Sequence, residues 1–101
     1  MQKVFVYGTL QQPEVQQSVI GRIVTTKPAK LAGYAKDTIV INGASYPIAV
    51  PSDQASIDGL VLGIEDEELP KLDKYETDAY IRVKVRLESG QEAWTYCRPS
   101  I

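Results

Sequence analysis

Apolar and polar positions alternate in short runs along most of the chain, and only two stretches switch to a helical period. Gln2–Tyr7 (QKVFVY) is a β-rich run, with Val4 and Val6 on one side and Phe5 and Tyr7 on the other. Gly8-Thr9 breaks it. Pro13–Ile20 predicts a short helix stopped by Gly21. The pattern between Ile23 and Ile41 is weaker. It predicts extended pieces around Ala29–Tyr34 and Thr38–Ile41, separated by Lys36-Asp37 and ended by Asn42-Gly43. Tyr46–Val50 (YPIAV) predicts a short strand, and its Pro47 points to a sheet edge or an irregular pairing.

Ile57–Glu65 (IDGLVLGIE) is a clearer strand: Leu60, Leu62 and Ile64 line one face, and Gly59 and Gly63 thin the other. Such glycines leave room for a ligand or another backbone, or mark a sharply curved barrel strand; curvature is the favoured explanation. Leu69–Glu76 predicts the second helix, with Pro70 near its first position, where a missing N–H costs nothing. Tyr80–Leu87 alternates cleanly, with Ile81, Val83, Val85 and Leu87 inward and Arg82, Lys84 and Arg86 outward. Glu88–Gln91 turns it into a return strand, Glu92–Cys97. This order lacks the strict βαβ alternation of a doubly wound sheet. Five to seven short strands with two minor helices predict an α+β fold, a small curled, barrel-like sheet with two short flanking helices.

Size and composition narrow the chemistry. The 101 residues predict one domain, 1–101, and contain no run near the roughly 20 apolar residues of a membrane span. Net charge is −2 with acids and bases interspersed, so no nucleic-acid footprint is expected. Cys97 is the only cysteine, which excludes an internal disulfide and suggests a reducing, cytoplasmic home. There is no histidine, which excludes His-based metal sites and Ser-His or Cys-His pairs. Neither GxxxxGK[ST] nor GxGxxG occurs. Proton chemistry is left to carboxylates, tyrosines, lysines and backbone amides.

Two features stand out. Leu69, Leu72 and Glu76 fall at i, i+3 and i+7, on one helical face. If the leucines are core, Glu76 points inward, where desolvation raises a carboxyl pKa and suits it to acid–base work. Otherwise it bends out to water from a fraying helix end. Asp73 shares the face with Leu69 and is expected to accept structural hydrogen bonds, while Arg82 is expected at the surface. The second feature is Tyr7-Gly8-Thr9-Leu10, where glycine lets the chain turn and present successive amides, as an oxyanion site does or as an ordinary turn does.

Taken in order, several segments carry a resemblance. They are Val6-Tyr7-Gly8-Thr9-Leu10, Tyr46-Pro47-Ile48-Ala49-Val50, Gly59-Leu60-Val61, and Leu72-Asp73-Lys74-Tyr75-Glu76 with Tyr80-Ile81-Arg82. Across nearly the whole chain they resemble the gamma-glutamylcyclotransferase-like family, including its gamma-glutamylamine cyclotransferase branch. The resemblance implies a small mixed β-barrel with a cavity at one end. It implies Glu76 as the catalytic acid/base, with Tyr7, Gly8, Thr9, Leu10, Tyr46 and Tyr80 binding substrate. It also implies ring closure of a γ-glutamyl compound to 5-oxoproline with release of an amine, using no cofactor and no metal. The expected partner is that small molecule, not nucleic acid or membrane, with the protein a monomer or homodimer. Trp94, Tyr96 and the edge around Pro47 are candidate dimer contacts. One departure is Thr77-Asp78 after Glu76, where many family members have glycine; it bears on the cavity wall and the leaving group.

Overall fold

In a computed structural model, residues 1–97 are described; residues 98–101 of the expected domain lie outside them. Strand β1 (Gln2–Val6) is the centre of a five-stranded sheet, because apolar side chains on both of its faces are buried. Val4 and Val6 join one hydrophobic cluster with Leu62, Ile64, Leu69 and Leu72. Phe5 joins a second with Leu31, Ile57, Val85 and Leu87. The first cluster seats helices α1 (Pro13–Ile20) and α2 (Leu69–Glu76) against the sheet. The second lies within the curl of the sheet itself, as in a barrel.

The sheet order is β2-β3-β1-β5-β4, with β2 Thr26–Ile41, β3 Ala44–Ile64, β4 Ile81–Arg86 and β5 Glu92–Cys97. β1 runs antiparallel to β3 and parallel to β5, so the sheet is mixed. The Glu88 amide, in the β4–β5 turn, donates to the Lys30 carbonyl on β2 at 2.9 Å, drawing the two sheet edges together. This is the expected α+β fold: a curled half-barrel with two helices.

Two long strands replace the four short pieces expected between Ala29 and Glu65. β2 is continuous through Lys36-Asp37, and β3 runs on from Tyr46–Val50 into Ile57–Ile64. Asn42 (φ 52°) and Gly43 (φ 82°) form the tight turn that joins them into one hairpin. Polar residues within the hairpin mark solvated positions along paired strands, and the one register shift lies between Ala32 and Tyr34, at Gly33 (φ 85°). Pro47 does sit in the ladder, opposite Thr38.

Gly59 corrects the curvature explanation. A β-carbon there would lie 2.3 Å from the Val6 carbonyl oxygen and 2.8 Å from Phe5 Cζ, so glycine admits the neighbouring strand at close range. On β4, Val85 is buried as expected, but Ile81 is exposed. Arg82 is not simply a surface residue either: its guanidinium stacks 4.7 Å from the Trp94 ring and pairs with Asp73 at 3.5 Å.

Candidate active site

Helix α2 delivers the key carboxylate. Pro70 lies in its first turn, Leu69 and Leu72 are buried, and Glu76 is its last residue. The helix continues directly from the 3-10 turn Asp66–Glu68, which is anchored by Glu68, a residue the sequence analysis did not single out. Arg22 Nε and Nη2 donate to the two Glu68 carboxylate oxygens at 2.8 and 2.7 Å, and the Glu65 amide donates to Oε1 at 2.8 Å. These bonds hold the Glu68 carboxyl down at about 2, chiefly through Arg22. The Glu65-x-x-Glu68 spacing, a capping box, was the available signal.

Glu76 is half-buried and lines a cavity of about 310 Å³ at one end of the barrel. Burial pushes its carboxyl from 4.5 up to about 7, with no hydrogen bond or counter-charge among the described residues to offset it. Its group is therefore poised to change protonation near neutrality. The same cavity is lined by Tyr7, Gly8, Thr9 and Leu10, which follow β1, by Tyr46 from β3, and by Tyr80 just before β4. All seven residues singled out from the sequence thus border one space. Phe5, Ile41, Pro47, Tyr75, Thr77 and Tyr96 border it too. Ile41 had no sequence signal, because only the continuous hairpin carries it across to the site.

The tyrosines give the cavity its polarity. Tyr7 donates its hydroxyl proton to the Tyr96 carbonyl and accepts the Ala49 amide at 3.0 Å. Tyr80 donates to the Pro47 carbonyl at 2.6 Å, and Tyr96 donates to Asp73 Oδ1 at 2.7 Å. A phenol has one proton, so these three retain only acceptor capacity toward a ligand. Burial raises all three pKa values, Tyr80 to about 12, and the nearby Glu76 charge adds to each. Tyr96, a candidate dimer contact by sequence, is instead buried.

The 3-10 turn Thr9–Gln11 brings Thr9 and Leu10 to the same cavity. Its own hydrogen bonds run from the Gln11 and Gln12 amides back to Gly8 and Thr9, leaving the earlier amides outside that pattern. Gly8 has φ −123°, so its role is not left-handed geometry; a β-carbon there would crowd Pro47 Cγ at 3.2 Å. No group of His, Cys, Asp and Glu able to hold a metal ion occurs among the described residues, and no described helix is long and apolar enough to cross a membrane.

Asp73 supports the site from behind. Asp73→Asn keeps an oxygen for the Tyr96 hydroxyl but removes the charge facing Arg82. The pair is partly solvated, so the expected cost is about 0.5–1 kcal/mol, a few degrees in melting temperature. A melting curve checks this, and chemistry at Glu76 should be spared.

A sequence model described as "Gamma-glutamyl cyclotransferase, AIG2-like" matches residues 4–100. The chain belongs to that family. Among its curated relatives, Protein AIG2 C of Arabidopsis thaliana is 38% identical over 85 residues, covering 83% of this chain and 50% of that protein. The chain spans about half the length of the curated relatives it matches. A solution structure of an Arabidopsis thaliana protein, 33% identical, superposes with a TM-score of 0.82 over 96% of this chain and 61% of that one. A solved gamma-glutamyl cyclotransferase, 18% identical, shares the fold with a TM-score of 0.77, over 97% of this chain and 66% of its own.

Proposed function

We propose that this protein is a cyclotransferase that converts a γ-glutamyl amide to 5-oxoproline and a free amine, with Glu76 as general acid and base. The observation that carries the proposal is a desolvated carboxyl of pKa about 7 in the same cavity as the Gly8–Leu10 turn. The γ-glutamyl α-carboxylate sits against the turn amides. Its α-ammonium faces the Glu76 carboxylate and the acceptor sides of the tyrosines.

An ammonium has no lone pair to attack with. Glu76 takes its proton, and the freed amine adds to the substrate's own γ-carbonyl carbon, forming the ring C–N bond. The carbon–nitrogen bond to the leaving group then breaks as the Glu76 carboxylic acid returns the proton to that nitrogen. As the ring nitrogen becomes a lactam N–H it sheds its second proton, which Glu76 relays in turn to the departing nitrogen; the amine leaves as an ammonium, and no water is consumed. Holding amine and carbonyl in contact supplies much of the acceleration. The substrate brings both reacting groups, so the reaction asks for no metal or cofactor.

The test is the pH profile. The free enzyme needs Glu76 ionised, so kcat/KM should rise through pH about 7 to a plateau. An acid limb centred near 4.5, the ordinary value, would show that the working carboxylate is not the desolvated one.

A further inference from the structure

Thr77 holds a backbone conformation, φ 63° and ψ −169°, that belongs almost entirely to glycine. For a β-branched residue it is an outlier. Hydrogen bonds fasten it there: its amide closes α2 on the Asp73 carbonyl, its carbonyl accepts the Tyr80 amide at 3.4 Å, and its Oγ1 accepts the Ala79 amide at 3.3 Å. Glycine would make the two backbone bonds with less strain. What threonine adds is a branched side chain beside Glu76.

The place of that side chain follows from exposure around the cavity. Phe5, Tyr7, Leu10 and Tyr96 are buried and form the inner end. Tyr46, Tyr75 and Thr77 are exposed and form the rim. The rim is braced where Thr9 Oγ1 and the Tyr75 hydroxyl share a hydrogen bond of 2.5 Å. The ring-forming atoms must reach Glu76, so the departing amine extends outward past the rim.

We propose that Thr77 is a specificity-determining residue whose side chain limits the size of the leaving amine. The proposal rests on the cyclotransferase function proposed above and adds the substrate class: γ-glutamyl amides of small, unbranched amines. Branching at Cβ leaves the side chain few rotamers, so it does not swing aside freely, and a branched or cyclic amine meets it.

The experiment compares kcat/KM for γ-glutamyl methylamide and γ-glutamyl cyclohexylamide in the wild type, Thr77→Gly and Thr77→Val. Thr77→Gly should raise the cyclohexyl-to-methyl ratio about tenfold, the scale of a small change in pocket shape. Its melting temperature should rise by about 5 °C as strain is relieved. Thr77→Val, nearly isosteric, should keep the wild-type ratio within about twofold. A higher melting temperature with an unchanged ratio in Thr77→Gly would make Thr77 only a strained helix end. A ratio shifted equally by valine would assign the effect to the hydroxyl and overturn the size limit. If the wild type turns over neither amide, no amine leaves, and this inference falls with the cyclotransferase function. Failure to bind either amide would overturn the cyclotransferase function together with this inference; turnover with an unchanged ratio overturns this inference alone.

Discussion

Glu76→Gln should lower the rate of 5-oxoproline release by about a hundred- to ten-thousand-fold, the usual effect of losing a positioned acid/base. Glutamine fills the same space, so the cavity and its tyrosines stay in place. The variant should also be the more stable protein at neutral and higher pH. Its partner in the comparison has a folded-state carboxyl pKa of about 7 against an ordinary 4.5. A raised carboxyl pKa favours the fold fully below the unfolded value, and that contribution is lost as pH rises from about 4.5 through about 7. Above that, the wild type carries a poorly solvated charge that glutamine lacks. The gap in unfolding free energy should open across this interval to about 1–3 kcal/mol, discounted because Glu76 is only half-buried. Activity assays and melting curves at pH 5 and pH 8 check both parts. An active Glu76→Gln protein would pass the acid–base role to another carboxylate, Asp73 first.

Gly59→Ala should destabilise the protein by about 3 kcal/mol or more, lowering the melting temperature by more than about 10 °C. The added carbon would sit 2.3 Å from a backbone oxygen, which cannot rotate aside as a side chain can. That oxygen belongs to Val6, one residue before the site loop, so any relaxation moves Tyr7–Leu10 as well. Gly63→Ala on the same strand is the control. Its new carbon would meet Met1 Sδ at 3.6 Å and Lys3 Nζ at 3.7 Å, ordinary contacts with flexible ends. It should change stability by no more than about 0.5 kcal/mol. Equal effects at the two glycines would show that β3 tolerates side chains at either place.

The two glycines also show where sequence reasoning stops. Their spacing marks a strand face without side chains, but the β1 backbone fills that space only at Gly59, and this depends on pairing 50-odd residues apart in the chain. Local signals served the helices well. Pro13 and Gly21 bound α1, and Pro70 with the Leu69/Leu72 stripe places α2 and turns Glu76 inward. The long hairpin was less legible. Its solvated positions at Lys36-Asp37 carry the same residues as a loop, and only its ladder shows that β2 continues through them. The cavity was legible where one short motif supplies it, as at Tyr7–Leu10. It was not legible at Ile41, which the hairpin brings there, or at Thr77, whose strain is a property of the backbone.

In the cyclisation proposed for Glu76, the substrate's own amine, not water, displaces the leaving group. Turnover of a γ-glutamyl amide in ¹⁸O-enriched water, followed by mass spectrometry, separates the two. Cyclisation yields 5-oxoproline and amine in equal amounts, with no solvent oxygen in the 5-oxoproline, and that is the predicted result. Glutamate carrying one ¹⁸O would mean hydrolysis. Binding of the amide without either product would mean a recognition module. Either outcome would rule out ring closure by the substrate's amine.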